Sequence, residues 1–200
     1  MTWKGRLTSL SVVVAIVINI EDVLSPMIGL PLLVLAVALA WRFTDSFWKT
    51  VAFGLVGGVI AGALIMGPGF RVAMRLVAIM EPTRAPEFSA GGTLLIIVGI
   101  GGVLGGVVGI AGNLIRRALS ITSVVVAGVV LSVFEMTLLL TDSGLRQEFF
   151  ELGAGPWVNI ALFGFFALGY GIAAMATAEY LERRTADRSS VVTEVQKVPA

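Results

Sequence analysis

Apolar residues run through this chain in long blocks, and polar residues collect in the short stretches between them. A helix that crosses a bilayer needs about 20 mainly apolar residues at 1.5 Å rise each. Six blocks approach that length: Trp3–Ile20, Val23–Trp41, Trp48–Met66, Thr93–Leu114, Leu119–Leu140 and Trp157–Tyr180. The pattern predicts an all-α polytopic membrane helix bundle of about six transmembrane helices, with a short broken or interfacial helix after the third. Only Glu21-Asp22 separates the first two blocks, which leaves either a helical hairpin or one long kinked helix. Lys4 and Arg6 precede the apolar run Leu10–Ile20 as in a leader peptide. Asn19, Glu21 and Asp22, however, stand where small cleavage-site residues belong, so a retained helix is expected.

Between the third and fourth blocks lies GPGFRVAMRLVAIMEPTRAPEFSAGG, residues 67–92. Gly67, Pro68 and Gly69 are expected to break or kink the preceding helix, because proline lacks a backbone donor and glycine relaxes the chain. Helix should resume over Phe70–Met80 and stop at Glu81-Pro82. On it Arg71 and Arg75 are one turn apart and share a face, while the other residues are apolar. Such a helix either lies in the outer interface or folds back into the bundle against protein or a wet cavity. A second interfacial helix is expected over 144–152, with Phe149 and Phe150 dipping into lipid.

Glycine adds a packing prediction. Gly54, Gly58 and Gly62 recur every four residues in the third block, and Gly101, Gly105 and Gly109 do so in the fourth. Residues four apart share a helix face, so each series forms a glycine-zipper groove where another backbone can approach closely. The simplest partners are each other, as antiparallel neighbours. A homo-oligomer interface, or other membrane subunits, would use the same faces.

Composition then narrows the chemistry. The chain is 57% hydrophobic and 14% charged, against about a quarter charged in soluble domains. Lipid is the solvent that suits it. It has no Cys and no His, which excludes disulfides, thiolate or histidine metal sites and Ser/His or Cys catalysis. No metal, no cofactor and no nucleic-acid partner is expected. An enzyme acting on lipid-linked substrates is the weakest reading, since no nucleophile–base pair or acidic metal cluster is visible.

Charge placement sets orientation, because basic loops resist translocation. With a cytoplasmic N-terminus, Lys4, Arg6, Arg42, Lys49, Arg116, Arg117, Arg183, Arg184, Arg188 and Lys197 fall inside, and Arg71, Arg75, Arg84 and Arg146 fall outside. That asymmetry fits six spans in the cell (inner) membrane, with both termini cytoplasmic. Trp3, Trp41, Trp48 and Trp157 then sit at the interfaces. Residues 1–181 are expected to form the bundle and 182–200 a disordered cytoplasmic tail.

Glu135 is the acid that lies well inside a predicted span, about 7–8 Å from its outer end. An intramembrane carboxylate points to function and calls for a partner. Arg71 and Arg75 are the basic candidates on that side. Together they form an ion or proton site, or a structural clasp between helices. The segments RVAMRLVA (71–78) and PEFSAGGTL (86–94) resemble uncharacterised multi-pass membrane proteins of actinobacterial type. The resemblance implies a membrane-embedded helical fold and no particular activity. Two functions follow as expectations. One is a small transporter or channel component using the Arg71, Arg75 and Glu135 constellation. The other is an accessory or assembly protein that packs on other membrane subunits through its glycine-lined helices.

Overall fold

The computed structural model describes residues 2–20, 26–43, 46–80, 89–141 and 155–195. The interfacial helix expected over 144–152, with Arg84 and Arg146, lies outside them. The described residues form helix α1 (Trp3–Ile20), α2 (Pro26–Phe43), α3 (Phe47–Ala61), a π-helical segment π1 (Gly62–Met66) and α4 (Gly67–Met80). They continue as α5 (Ala90–Leu95), a second π segment π2 (Ile96–Leu104), α6 (Gly105–Ala118), α7 (Val124–Thr141) and α8 (Pro156–Val195).

Among the described residues, four helices are long and apolar enough to cross a membrane: Phe47–Met80, Ala90–Ala118, Val124–Thr141 and Pro156–Ala186. The expectation of about six is met only at this coarser level. In α2 the apolar run Leu30–Arg42 is shorter, and α1 carries Lys4 and Arg6 in its first turn. These two helices pack along each other, not end to end as one kinked rod. Large side chains point outward along the spans, with Leu64 72% and Phe165 71% exposed. Apolar belts of that kind require a lipid environment.

Two expectations change. The Gly67-Pro68-Gly69 step does not end the third helix, which runs from Phe47 to Met80. The irregularity sits just ahead of it, where Gly67 N–H donates to the Gly62 carbonyl five residues back. Pro68 then follows with no N–H to offer. Away from water a broken backbone would leave polar groups bare, so the chain keeps a widened helix in place of a gap. At the other terminus, α8 continues to Val195, well past the point where a disordered tail was expected to begin. Its Glu179 and Glu182 are held by arginines of α6.

The core divides in two. Met66, Phe70, Leu131, Phe163, Tyr170 and Met175 gather around α7 and α8. Val12, Val13, Ala36, Ala40 and Leu114 join α1 and α2 to α6. Between them α3 and α6 make the closest approach. A β-carbon on Gly54 would lie 2.7 Å from the Gly109 carbonyl oxygen, and one on Gly101 would lie 2.5 Å from that of Gly62. Gly58 meets Gly105 in the same way. The descending order of partners shows that the two helices run antiparallel.

Candidate functional site: a buried carboxylate and two flanking charge clusters

The α7–α8 pair builds the first site. Small residues bring these helices together, since a β-carbon on Gly128 would lie 2.6 Å from Ile172 Cα. One turn on, the Ser132 hydroxyl is 2.7 Å from the Gly128 carbonyl oxygen and 3.0 Å from that of Ala167. It donates to one or the other, across the helix pair. Leu131, fully buried, faces the core that holds Phe163 and Tyr170. Glu135 follows one turn later on that face and is 2% exposed.

Neither Glu135 carboxylate oxygen has a hydrogen-bond partner. Buried polar groups in folded proteins are nearly always bonded, and a bare carboxylate is the costliest exception. Tyr170 lies within electrostatic reach of it. The Tyr170 hydroxyl is committed elsewhere, donating to the Gly105 carbonyl at 2.6 Å. Gly105 is the first residue after π2. Tyr170 therefore stands between the carboxylate and the seam where π1 and π2 pack on one another. Segments of π geometry occur often at functional sites because they hold an extra residue that a small shift can release.

The expected constellation comes apart at this point. Among the described residues no ion pair joins Glu135 to Arg71 or Arg75. Both arginines instead line a groove of about 740 Å³ between α4 and the α5–π2 stretch, with Pro68, Val72, Met74, Ala78, Thr93 and Ile97. Glu135 does not line it. Gly67, Pro68 and Gly69 lie where α4 leaves π1. A β-carbon on Gly67 would be 2.8 Å from Ile97 Cα, so these residues serve close packing. The two glycine series face each other, and neither is left open to a partner along that seam.

A third cluster was not anticipated from sequence. Asn113 Nδ2 donates to the Thr50 carbonyl at 2.9 Å and to Glu182 Oε1 at 3.3 Å. Arg116 and Arg117 each reach Glu182 at 3.1 Å, and Arg116 approaches Glu179 at 3.9 Å. Glu179 also pairs with Arg183. Arg116, Glu179 and Glu182 are only 12–16% exposed, so the cluster is a semi-buried clasp between α3, α6 and α8. Its signal was present as acids and bases spaced to share a face: Glu179 with Glu182, and Asn113 with Arg116 and Arg117. It was missed because Glu182 was assigned to a tail.

No group of three or more metal-ligating side chains occurs among the described residues. Comparison with protein-family models, with curated proteins and with solved structures finds no match.

Proposed function

We propose that the protein is a small transporter or channel component in which Glu135 takes up and releases a cation, a proton in the simplest case. One observation carries this reading: a fully buried carboxylate with both oxygens bare, on a helix of membrane-spanning length. Burial without partners costs stability, and a bundle retains such a group where it has work to do. A positive charge arriving at the carboxylate removes the cost, and its departure restores it. Alternation between these states is what transport through a carboxylate needs.

The facing π segments supply the adjustable element. A π turn that reverts to α geometry shifts the residues beyond it along and around the helix axis. Here those residues are α4 on one strand of the seam and α6 on the other. Tyr170, bonded to Gly105, would carry such a shift toward Glu135.

The bundle is proposed to sit in the cell membrane with six spans and both termini cytoplasmic, supported by the uneven distribution of Lys and Arg. The alternative, an accessory protein that packs against other membrane subunits through its glycine-lined helices, has less support, because the two glycine series pack on each other. A hydrophobic carbodiimide, which adds to carboxyl groups from the lipid phase, tests the proposal. It should modify Glu135 in proteoliposomes and stop cation uptake in the same preparation. Full modification with uptake unchanged would contradict the role assigned to this residue.

A further inference from the structure

Helix α6 is held by α8 at both of its ends. Its first residue, Gly105, follows π2, and the Gly105 carbonyl accepts the Tyr170 hydroxyl at 2.6 Å. Its last turns carry Arg116 and Arg117, each 3.1 Å from Glu182. Asn113 joins the Thr50 carbonyl of α3 to the same glutamate. This clasp and Glu135 stand at opposite ends of the bundle. Helices α7 and α8 are antiparallel, with Gly128 against Ile172 and Ser132 against Ala167. Glu135 is therefore level with the turn before Ala167, and Glu179 lies more than about 20 Å away from that level along α8.

The clasp has bonds left to make. Arg116 Nη1 and Glu179 Oε2 face each other at 3.9 Å, close enough to pair and too far to bond, and both atoms are buried without a hydrogen bond. Asn113 is fully buried, and its Oδ1 is bare as well. Glu179 and Glu182 are one turn apart on α8 and share the single Arg116. A short slide of α6 along α8 lets Arg116 exchange one acid for the other. Semi-buried charges are stable only while paired, so positions between the two are disfavoured and the clasp has two settings. The segment π2 supplies the movement. Its reversion to α geometry displaces α6 by about one residue, roughly 1.5 Å along the axis. That is the scale of the step from a 3.9 Å contact to a bond.

We propose that Asn113, Arg116, Arg117, Glu179 and Glu182 form the inner gate of the route that Glu135 serves, and that neutralising Glu135 opens it. The gate presupposes the transport reading of Glu135. It adds positioning residues at the end that the charge distribution assigns to the cytoplasm. A cation taken up from the outer side has to leave at the inner one, so the loaded, neutral carboxyl belongs with the open gate. Tyr170 lies within electrostatic reach of Glu135 and holds Gly105. A change of charge there reaches α6 through this bond, and α6 delivers it to the clasp.

Thiol labelling tests the gate without relying on uptake. The chain has no cysteine of its own, and Thr50, whose carbonyl the clasp holds, is fully buried. Thr50→Cys in the full chain, purified in mild detergent, should react slowly with a water-soluble maleimide. Adding Glu135→Gln should speed the reaction about fivefold or more, the lower end of ordinary coupling between sites. Glu135→Gln removes a bare buried charge and is expected to steady the bundle, so faster labelling cannot come from unfolding. With Arg116→Gln the clasp is already released, and labelling should be fast with or without Glu135→Gln. Should Thr50→Cys not fold, Ala118→Cys, buried at the same end of α6, takes its place. Labelling indifferent to Glu135→Gln, in a protein that takes up cations in proteoliposomes, overturns the gate and leaves the transport reading standing. Labelling that responds, in a protein that takes up none, supports the coupled clasp and overturns the transport reading. A response that persists at full size with Arg116→Gln shows that the clasp is bypassed and also overturns the gate.

Discussion

A carboxyl group and a carboxamide have nearly the same shape, so Glu135→Gln removes the ability to carry a charge while keeping the packing. A glutamate held for structure would be bonded, and its loss would destabilise the bundle. Glu135 is buried with neither oxygen bonded, so the substitution should relieve a cost. Thermal unfolding in detergent should show the variant as stable as wild type or more so, by about 1 kcal/mol. A clear loss of stability would point to the clasp expected from the sequence. The residue itself was legible: an acid in an apolar block stands out without any structure. That Arg71 and Arg75 do not pair with it was not. Arg71 and Arg75 share its end of the membrane in a topology diagram, but a linear pattern does not tell which way a helix face turns. That direction is set by α4 packing on π2.

Two kinds of helix contact invite substitution. Gly58→Ala would drive a methyl group into the Gly105 backbone, where neither chain can yield. Destabilisation of about 1–3 kcal/mol is expected, read as a lowered melting temperature. Gly164→Ala, with open space around it, should be neutral and serves as the control. The arginine clasp makes a parallel case. Arg116→Ala leaves Glu179 and Glu182 without their central cation, at about 1–3 kcal/mol for a pair this far from full burial. Glycine spacing foretold the first contact because four-residue periodicity is a property of the helix alone. The π segments left no comparable trace. Gly-Pro-Gly reads as a break in water, and only the lack of water around the backbone turns it into a widened turn. The anchoring of α8 at Glu182 depended likewise on a contact with α6 that lies far away in sequence.

At the level of the whole molecule, the absence of cysteine makes the chain a ready background for single-cysteine labelling. The proposed topology puts both termini in the cytoplasm, and a thiol reagent added outside cells should then reach Arg75→Cys but neither Lys4→Cys nor Arg184→Cys. Labelling of Lys4→Cys alone would mean an odd number of spans. Hydropathy sufficed for an all-helical bundle because apolar blocks of this length have one solution in lipid. It did not fix the number of spans, since α1 and α2 are short and marginal by the measure that the other four satisfy. Whether Glu135 carries a cation is read without intermediates from cation uptake into proteoliposomes. With wild type and Glu135→Gln reconstituted side by side and driven by proton, sodium and potassium gradients in turn, wild type should pass at least one cation. The variant should fall below about a tenth of that rate, the scale of losing a charge that acts directly on the transported ion. Equal rates in the two proteins, or no uptake in either, would show that Glu135 carries no cation.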